Sequence, residues 1–187
     1  TYQRYAKSLG VGMGAGIRRN AKVMRDRLTK FKRRTPLFRR FRKCGVDPAK
    51  IVRIGGKAAV VYGQGVLGVS NALLRLLRRA IARAAATGSG VGGQQLDLGL
   101  MMADGRAKGG ADPAFDAHVM PITEWAKAVW EERLPRECLL ALVANAQKKL
   151  SKAKSVWASV TGPGAAFVAT CARLQWTVVD GVTLRTD

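Results

Sequence analysis

The sequence is poor in the residues that perform metal and redox chemistry. Its 187 residues include a single histidine, His118, and three widely spaced cysteines, Cys44, Cys138 and Cys171. A structural zinc site needs several Cys or His ligands at short spacing, and a disulfide framework needs paired cysteines, so neither is predicted. An odd number of scattered cysteines is typical of a reducing compartment. We therefore expect an intracellular protein that holds no metal or cofactor.

The sequence also lacks the common catalytic motifs, including the P-loop, the serine nucleophile elbow and the zinc protease helix. Gly10 to Ala15 match the dinucleotide pattern G-x-G-x-x-A. No convincing strand precedes them and no acidic residue follows about twenty positions later, so we interpret this segment as a flexible joint. Asp104, Asp112 and Asp116 could suggest a metal-dependent nuclease, but helix capping accounts for two of them. No catalytic residue is predicted.

Acidic residues are almost absent from the first half of the chain. Residues 1–90 contain 22 Lys or Arg and 2 acidic residues, a net charge of +20. Residues 91–187 contain 11 and 10, a net charge of +1. Charge of one sign at this density repels itself and indicates an anionic partner. We expect this partner to be nucleic acid and not an anionic membrane surface. The longest uncharged runs are also too short and too polar to span a bilayer.

The cationic residues are concentrated between Arg18 and Lys43, where 13 residues are Lys or Arg. This segment and the residue before it contain apolar residues that fall within an arc of about 80° on a helix: Ile17, Ala21, Met24, Leu28 and Phe31. The pattern predicts a helix over about 17–34 that docks one narrow stripe on a core and presents a broad basic surface. Pro36 ends this helix, and a second basic helix is expected at about 37–44. Leu37, Phe38 and Phe41 are expected to pack it beside the first.

The basic residues of these two helices, together with those of a later helix, are the predicted nucleic-acid contacts. They are Arg18, Arg19, Lys22, Arg25, Lys30, Arg33, Arg34, Arg39, Arg40, Arg42, Lys43, Arg75, Arg78 and Arg79. Lys30 to Arg34 could also act as a nuclear-import signal, and we expect a nuclear location. No further contact is predicted beyond residue 90, where the charge balance is close to neutral.

The remaining pattern predicts a mainly α fold, made of one or more helical bundles, with a small C-terminal β-hairpin. Further helices are expected to begin at or beside Pro48, Ser70, Pro113, Pro121, Pro135 and Pro163. Asp47 is expected to cap the helix at Pro48, which Gly55 and Gly56 would end. For residues 58–69 the periodicity does not distinguish a helix from a strand. Asp180 and Gly181 predict a two-residue hairpin turn.

Two of these later helices have clear apolar faces. The residues expected to point inward are Leu73, Leu74, Leu77 and Ile81 in one, and Leu139, Val143, Ala146 and Leu150 in the other. The four tryptophans, Trp125, Trp130, Trp157 and Trp176, are interpreted as core residues, because none lies among the basic residues. A Gly/Ser linker at 88–93 is expected to separate a basic helical region, 1–87, from a nearly neutral helical region, 94–187.

Two short segments flank the basic helices: Leu9-Gly10-Val11 precedes them and Ala59 to Val69 follows them. They resemble the region that follows the polymerase palm in reverse transcriptases of non-LTR retroelements, in which an LG-[VI] segment precedes the basic helix. Ala59 to Val69 is similar to the family's LLYG-x-E-x-W-G-L segment, and an Arg-rich helix follows it. Segments such as GGQQLDLGLMMADG and WAKAVWEE extend the resemblance along the chain. The sequence departs from the pattern at Gly65, where many members have Glu, and at Leu67, where they have Trp.

This resemblance implies a thumb and post-thumb portion of an RNA-directed DNA polymerase, which grips the template–primer duplex. The family's Y/F-x-D-D motif is absent, so no catalytic residue is carried over. The chain begins without Met, and we expect the rest of the parent polypeptide to be a partner. The main alternative is a stand-alone basic RNA- or DNA-binding module, associated with the ribosome or with chromatin. A nuclease is a third hypothesis.

Overall fold

The chain folds mainly into α-helices. A computed structural model describes residues 5–8, 11–14, 19–85, 95–107 and 110–186. The helices are α1 (Lys22–Arg33), α2 (Thr35–Lys43), α3 (Pro48–Ile51), α4 (Ala58–Val61), α5 (Gln64–Leu67), α6 (Asn71–Ala85), α7 (Leu96–Ala107), α8 (Pro113–Trp130), α9 (Arg136–Ser151) and α10 (Pro163–Arg173). A π-helical segment, Val52–Lys57, joins α3 to α4, and a 3₁₀ turn covers Val156–Ala158. The predicted fold class, mainly α with a C-terminal β-hairpin, is confirmed.

Two antiparallel hairpins accompany the helices. Strands β3 (Thr177–Val178) and β4 (Leu184–Arg185) form the predicted C-terminal one. Strands β1 (Tyr5–Ser8) and β2 (Val11–Gly14) form another, in the segment that we interpreted as a flexible joint. That interpretation was wrong for residues 11–14. Glycine is depleted in strands, and two of the four β2 residues are glycines, so no local pattern indicates strand pairing there.

The chain divides into two compact units whose segments alternate along the sequence. The basic unit consists of Ala21–Tyr62 and Asn71–Asp116. The C-terminal unit consists of Thr1–Asn20, Gly63–Ser70 and Ala117–Asp187. This grouping differs from the sequence-based division into 1–87 and 94–187, because α7 packs against α3 and α6 and so completes the basic unit. The predicted linker at 88–93 lies outside the described residues.

The basic unit is built around the apolar faces of α1 and α6. Met24, Leu28 and Phe31 of α1 are buried as predicted, as are the four inward residues predicted for α6: Leu73, Leu74, Leu77 and Ile81. Helix α6 contacts both α1 and α2. The rings of Phe31 and Phe38 lie 5.7 Å apart, so an aromatic pair joins α2 to α1. One buried stripe per helix therefore leaves the basic residues on the outside.

The segment after α2 begins as predicted and ends differently. The backbone N–H of Ala49 donates to Asp47 Oδ1 at 3.0 Å, which confirms the predicted cap. Gly55 and Gly56 do not end the helix, because the π-helical segment carries the chain through them into α4. A Cβ on Gly56 would lie 2.6 Å from Cε2 of Phe31. We infer that position 56 requires glycine because the Phe31 ring packs closely against it, and not because a helix ends there.

Helix α8 is longer than the sequence predicts. Its start is as expected, since the N–H of Ala114 donates to Asp112 Oδ1 at 2.8 Å behind Pro113. The second start that we predicted at Pro121 was wrong, because this proline lies buried inside α8. A proline inside a helix removes one backbone donor, and its ring crowds the carbonyl four residues earlier. The ring of Pro121 is itself fully buried in the structure. Helix α7 runs to Ala107 and so includes Asp104, Gly105 and Arg106.

The C-terminal unit has its core between α8, α9 and α10. The predicted inward residues of α9 are buried: Leu139, Val143, Ala146 and Leu150. Trp125 is buried too, stacked on Phe167 at 5.4 Å between ring centroids, with its Nε1 donating to the Gly181 carbonyl at 2.7 Å. Trp130 is 88 % exposed, so its assignment to the core was wrong. It is the last residue of α8, where neighbours on the C-terminal side are no longer helical.

The C-terminal hairpin has a slightly larger turn than predicted. Val178 pairs with Leu184, and the N–H of Val179 donates to the Thr183 carbonyl at 3.1 Å. The turn therefore contains three residues, 180–182, and not two. Asp180 Oδ1 accepts the N–H groups of Val182 and Thr183, each at 2.8 Å. These hydrogen bonds, the one from Val182 first, lower the pKa of Asp180 below its usual value.

Candidate nucleic-acid interface

Helix α1 presents a continuous basic face to solvent. Lys22, Arg25, Lys30 and Arg33 are exposed, on the sides of the helix away from the buried Met24–Leu28–Phe31 stripe. Asp26 is the one acidic residue of α1 and α2. Hydrophobic packing on one side thus fixes the helix while Arg25, Lys30 and Arg33 face solvent, where a polyanion can approach them.

Helix α2 extends this surface and also carries exposed apolar residues. Arg34, between the two helices, and Arg39, Arg40 and Lys43 of α2 are exposed, whereas Arg42 is half-buried. Phe38 is buried, but Leu37 and Phe41 are 48 % and 42 % exposed. The expectation that all three residues pack α2 beside α1 was therefore wrong for two of them. Phe38 alone points at Phe31, and Leu37 and Phe41 lie on a neighbouring side of this short helix.

The three predicted arginines of α6 have different surroundings. Arg75 and Arg79 are exposed. Arg78 is held by two carboxylates: its Nε lies 3.1 Å from both oxygens of Asp112, and its Nη2 lies 2.8 Å from Asp112 Oδ2 and 2.7 Å from Asp97 Oδ1. The hydrogen bonds to Asp112 are the main cause that raises the pKa of Arg78 above its usual value. Arg78 is consequently tied within the basic unit, while its neighbours face solvent.

The first two predicted contacts, Arg18 and Arg19, precede α1 in the chain. Arg18 lies outside the described residues. Arg19 belongs to the C-terminal unit, where its Nη2 donates to the Gly68 carbonyl at 2.6 Å and its backbone N–H donates to the Ala158 carbonyl at 2.8 Å. Its guanidinium therefore has a structural role in holding the segment that ends α5.

Most acidic residues of the basic unit are engaged internally. Asp97 and Asp112 pair with Arg78, as described above. Asp116 pairs with the buried Lys57, with 2.7 Å between Oδ2 and Nζ. Asp104 accepts the N–H groups of Ala111 and Asp112. The unit contains 20 Lys or Arg and 6 acidic residues, a net charge of +14, so these pairings leave an outer surface dominated by cations.

The acidic trio considered for a nuclease is thus distributed over separate structural roles. Asp112 binds an arginine and caps α8, Asp116 binds a lysine, and Asp104 fixes the loop before α8. Within the described residues, no group of three or more His, Cys, Asp or Glu side chains is placed to hold a metal ion. In the same part of the chain, no helix combines the length and the hydropathy needed to cross a bilayer.

One cationic and one aromatic residue near this surface were missed. Arg27 of α1 turns toward Tyr62, with its Nη1 donating to the Tyr62 carbonyl at 2.9 Å and its guanidinium lying 5.0 Å from the ring centroid. The ring itself is half exposed. These residues are 35 positions apart, so no local pattern could have indicated the pair. Comparison with family models, with curated proteins and with solved structures found no match to this chain.

Proposed function

We propose that the basic unit binds the phosphate backbone of nucleic acid through the exposed cations of α1 and α2. The observation that carries this proposal is the one-sided charge of the two helices. Their inner sides are buried, their outer sides are lined with Lys and Arg, and Asp26 is the single acid among them. The acids elsewhere in the unit mostly pair with Lys57, Arg78 or backbone groups, so they neutralise little of this surface.

The chemistry of this surface favours binding of nucleic acid without sequence specificity. Lys and Arg on one side of a helix contact phosphates, which carry no sequence information, and each contact releases condensed counterions. The cations that we assign to this role are Lys22, Arg25, Lys30, Arg33, Arg34, Arg39, Arg40, Lys43, Arg75 and Arg79. Arg78 is excluded because two carboxylates already occupy its donors.

We further propose that the parent polypeptide is a reverse transcriptase of a non-LTR retroelement. Support for this comes from the resemblance at Leu9-Gly10-Val11 and at Ala59 to Val69, and from the basic helices between them. In that setting the chain grips a template–primer duplex in the nucleus, and the chemistry of synthesis belongs to another part of the polypeptide. A direct test is incorporation of nucleotides: the 187-residue chain should show none, and any incorporation would refute this assignment.

Salt dependence tests the binding proposal itself. With about six phosphate contacts, the logarithm of the duplex binding constant should fall against the logarithm of salt concentration with a slope of about −5. Fluorescence anisotropy with a labelled duplex of about 25 base pairs measures it. Changing Arg25 and Arg33 to Gln together should make the slope less steep by about 2.

A matched control uses two exposed lysines of the C-terminal unit, Lys148 and Lys152. Changing both to Gln removes the same charge and should leave the slope within about one unit of the original. A slope near zero for the unmodified chain, or equal effects of the two double variants, would contradict binding through α1 and α2.

A further inference from the structure

An apolar strip lies on α2 beside its buried side. Leu37 and Phe41 are one helical turn apart, so their side chains adjoin on the helix surface. Both are nearly half exposed, and so is Val46, whose backbone N–H donates to the Phe41 carbonyl at 3.0 Å. The sequence pattern had assigned Leu37 and Phe41 to packing, yet of the three apolar residues of α2 Phe38 is the buried one. The strip thus leaves apolar surface facing solvent.

The charge around the strip indicates its partner. Arg40 and Lys43 of the same helix are exposed, and α2 contains no acidic residue. A second apolar protein surface would have to approach through this cationic rim. A nucleic acid satisfies both features, because its phosphates complement the cations and its bases have flat apolar faces that stack on aromatic rings.

We propose that Phe41 stacks on an unpaired base next to the duplex that the basic helices hold. This inference rests on the proposed function and names its substrate more closely: a duplex with an adjoining single-stranded segment. The bases of an uninterrupted duplex are stacked on each other, so their faces are closed to a side chain. Phe41 therefore contributes only where a strand end or junction frees a base, and Leu37 supports the edge of its ring.

The test compares three labelled nucleic acids with the full 187-residue chain. The first is a blunt duplex, the second carries a single-stranded extension of about six nucleotides, and the third carries the same extension with abasic residues. Phe41→Leu keeps an apolar side chain and removes the ring, whereas Phe41→Tyr keeps a ring. Circular dichroism melting of both variants establishes that each is folded before its affinities are compared.

Phe41→Leu should weaken binding of the extended duplex about tenfold. Binding of the blunt and abasic duplexes should change less than twofold, and Phe41→Tyr should bind the extended duplex nearly as well as the unmodified chain. Equal effects of Phe41→Leu on all three ligands, or no effect on any, would overturn the stacking. So would loss of a self-associated species in sedimentation velocity with Phe41→Leu, because the strip would then bind a second copy. Salt-dependent binding of the blunt duplex would still support the proposed function in each of these cases.

Discussion

Two adjacent glycines in the π-helical segment have opposite surroundings. A Cβ on Gly55 would meet no atom within 4 Å, whereas one on Gly56 would approach the ring of Phe31 to 2.6 Å. That ring is buried and is packed against Phe38. It cannot move aside without disturbing the contact that joins α2 to α1. Substitution of Gly55 therefore tests the backbone effect of glycine alone, whereas substitution of Gly56 also tests its packing against Phe31.

Gly56→Ala should lower the free energy of unfolding by about 1–3 kcal/mol, because the added methyl overpacks the Phe31 site. Gly55→Ala should leave it unchanged or raise it by up to about 1 kcal/mol, because alanine is the better helix former. Urea denaturation followed by circular dichroism measures both. Equal effects of the two variants would show that the ring is not the constraint.

The three cysteines differ in accessibility. Cys44 and Cys138 are exposed, and Cys171 is buried in α10. Burial disfavours the thiolate and raises the pKa of the Cys171 thiol to about 11. Since the folded pKa lies above the unfolded value of 9.0, the folded state binds the proton more tightly, and this contribution to stability is complete below pH 9.0. It is lost as the pH rises from there to about 11.

A thiol reagent such as iodoacetamide should therefore label two cysteines rapidly in the native protein at pH 8. The third, Cys171, should be labelled at the rate of unfolding, and addition of denaturant should make all three equally reactive. Peptide mass spectrometry identifies the labelled positions. Rapid native labelling of Cys171, with Cys44 or Cys138 protected, would contradict the assigned burial.

At the scale of single elements, α6 carries two adjacent arginines with different tasks. Arg78 is bound by Asp112 and Asp97, and Arg79 faces solvent. Arg78→Gln should lower the free energy of unfolding by about 1–3 kcal/mol, because Asp112 loses a charged, partly buried partner. Arg79→Gln should change it by less than about 0.5 kcal/mol. Urea denaturation measures both changes.

Duplex binding should reverse the order of these two variants. Arg79→Gln should reduce affinity severalfold at low salt, since one phosphate contact is lost. Arg78→Gln should reduce it less, provided that the measurement is made under conditions where the variant is folded. If both variants weakened duplex binding and neither lowered the free energy of unfolding, the pairing of Arg78 with carboxylates would not stabilise the fold.

Elements with strong local signals were predictable from the sequence. The buried stripes of α1, α6 and α9 followed from apolar spacing, and the starts at Pro48 and Pro113 followed from an aspartate before a proline. The predicted helix start at Pro121 was wrong, since proline is common at the first position of helices but here lies inside one. The exposure of Phe41 could not be predicted either, because its spacing is equally compatible with packing against α1.

In the candidate interface, too, features set by local sequence were predictable, and features set by residues far apart in the sequence were not. The outer cations of α1 follow from helical periodicity and the neighbouring apolar stripe. Arg78 is excluded from the interface because it binds Asp97 and Asp112, which are 19 and 34 residues away in the sequence. Nothing in the local sequence of α6 distinguishes Arg78 from Arg79. Arg27 is likewise drawn to Tyr62 by tertiary structure and not by any local pattern.

At the scale of the whole molecule, the change of charge along the chain does not mark the boundary between the units. Residues 95–116 follow the glycine-rich segment but belong to the basic unit, and their four aspartates lower its net charge to +14. The sequence showed where cations and acids are concentrated. It did not show that α7 returns to α3 and α6, because such contacts join residues far apart in the chain.

The alternation of segments has a consequence for synthesis on the ribosome. Helices α1 and α2 are made early, but α6, which packs against both, ends at residue 85, and the unit closes only at residue 116. Until then the nascent chain presents its densest run of cations without the helix that covers its apolar stripe. The C-terminal unit is completed later, when the hairpin that ends at residue 185 has been made. The basic unit can therefore close while most of the C-terminal unit, whose first segment precedes α1, is still to be made.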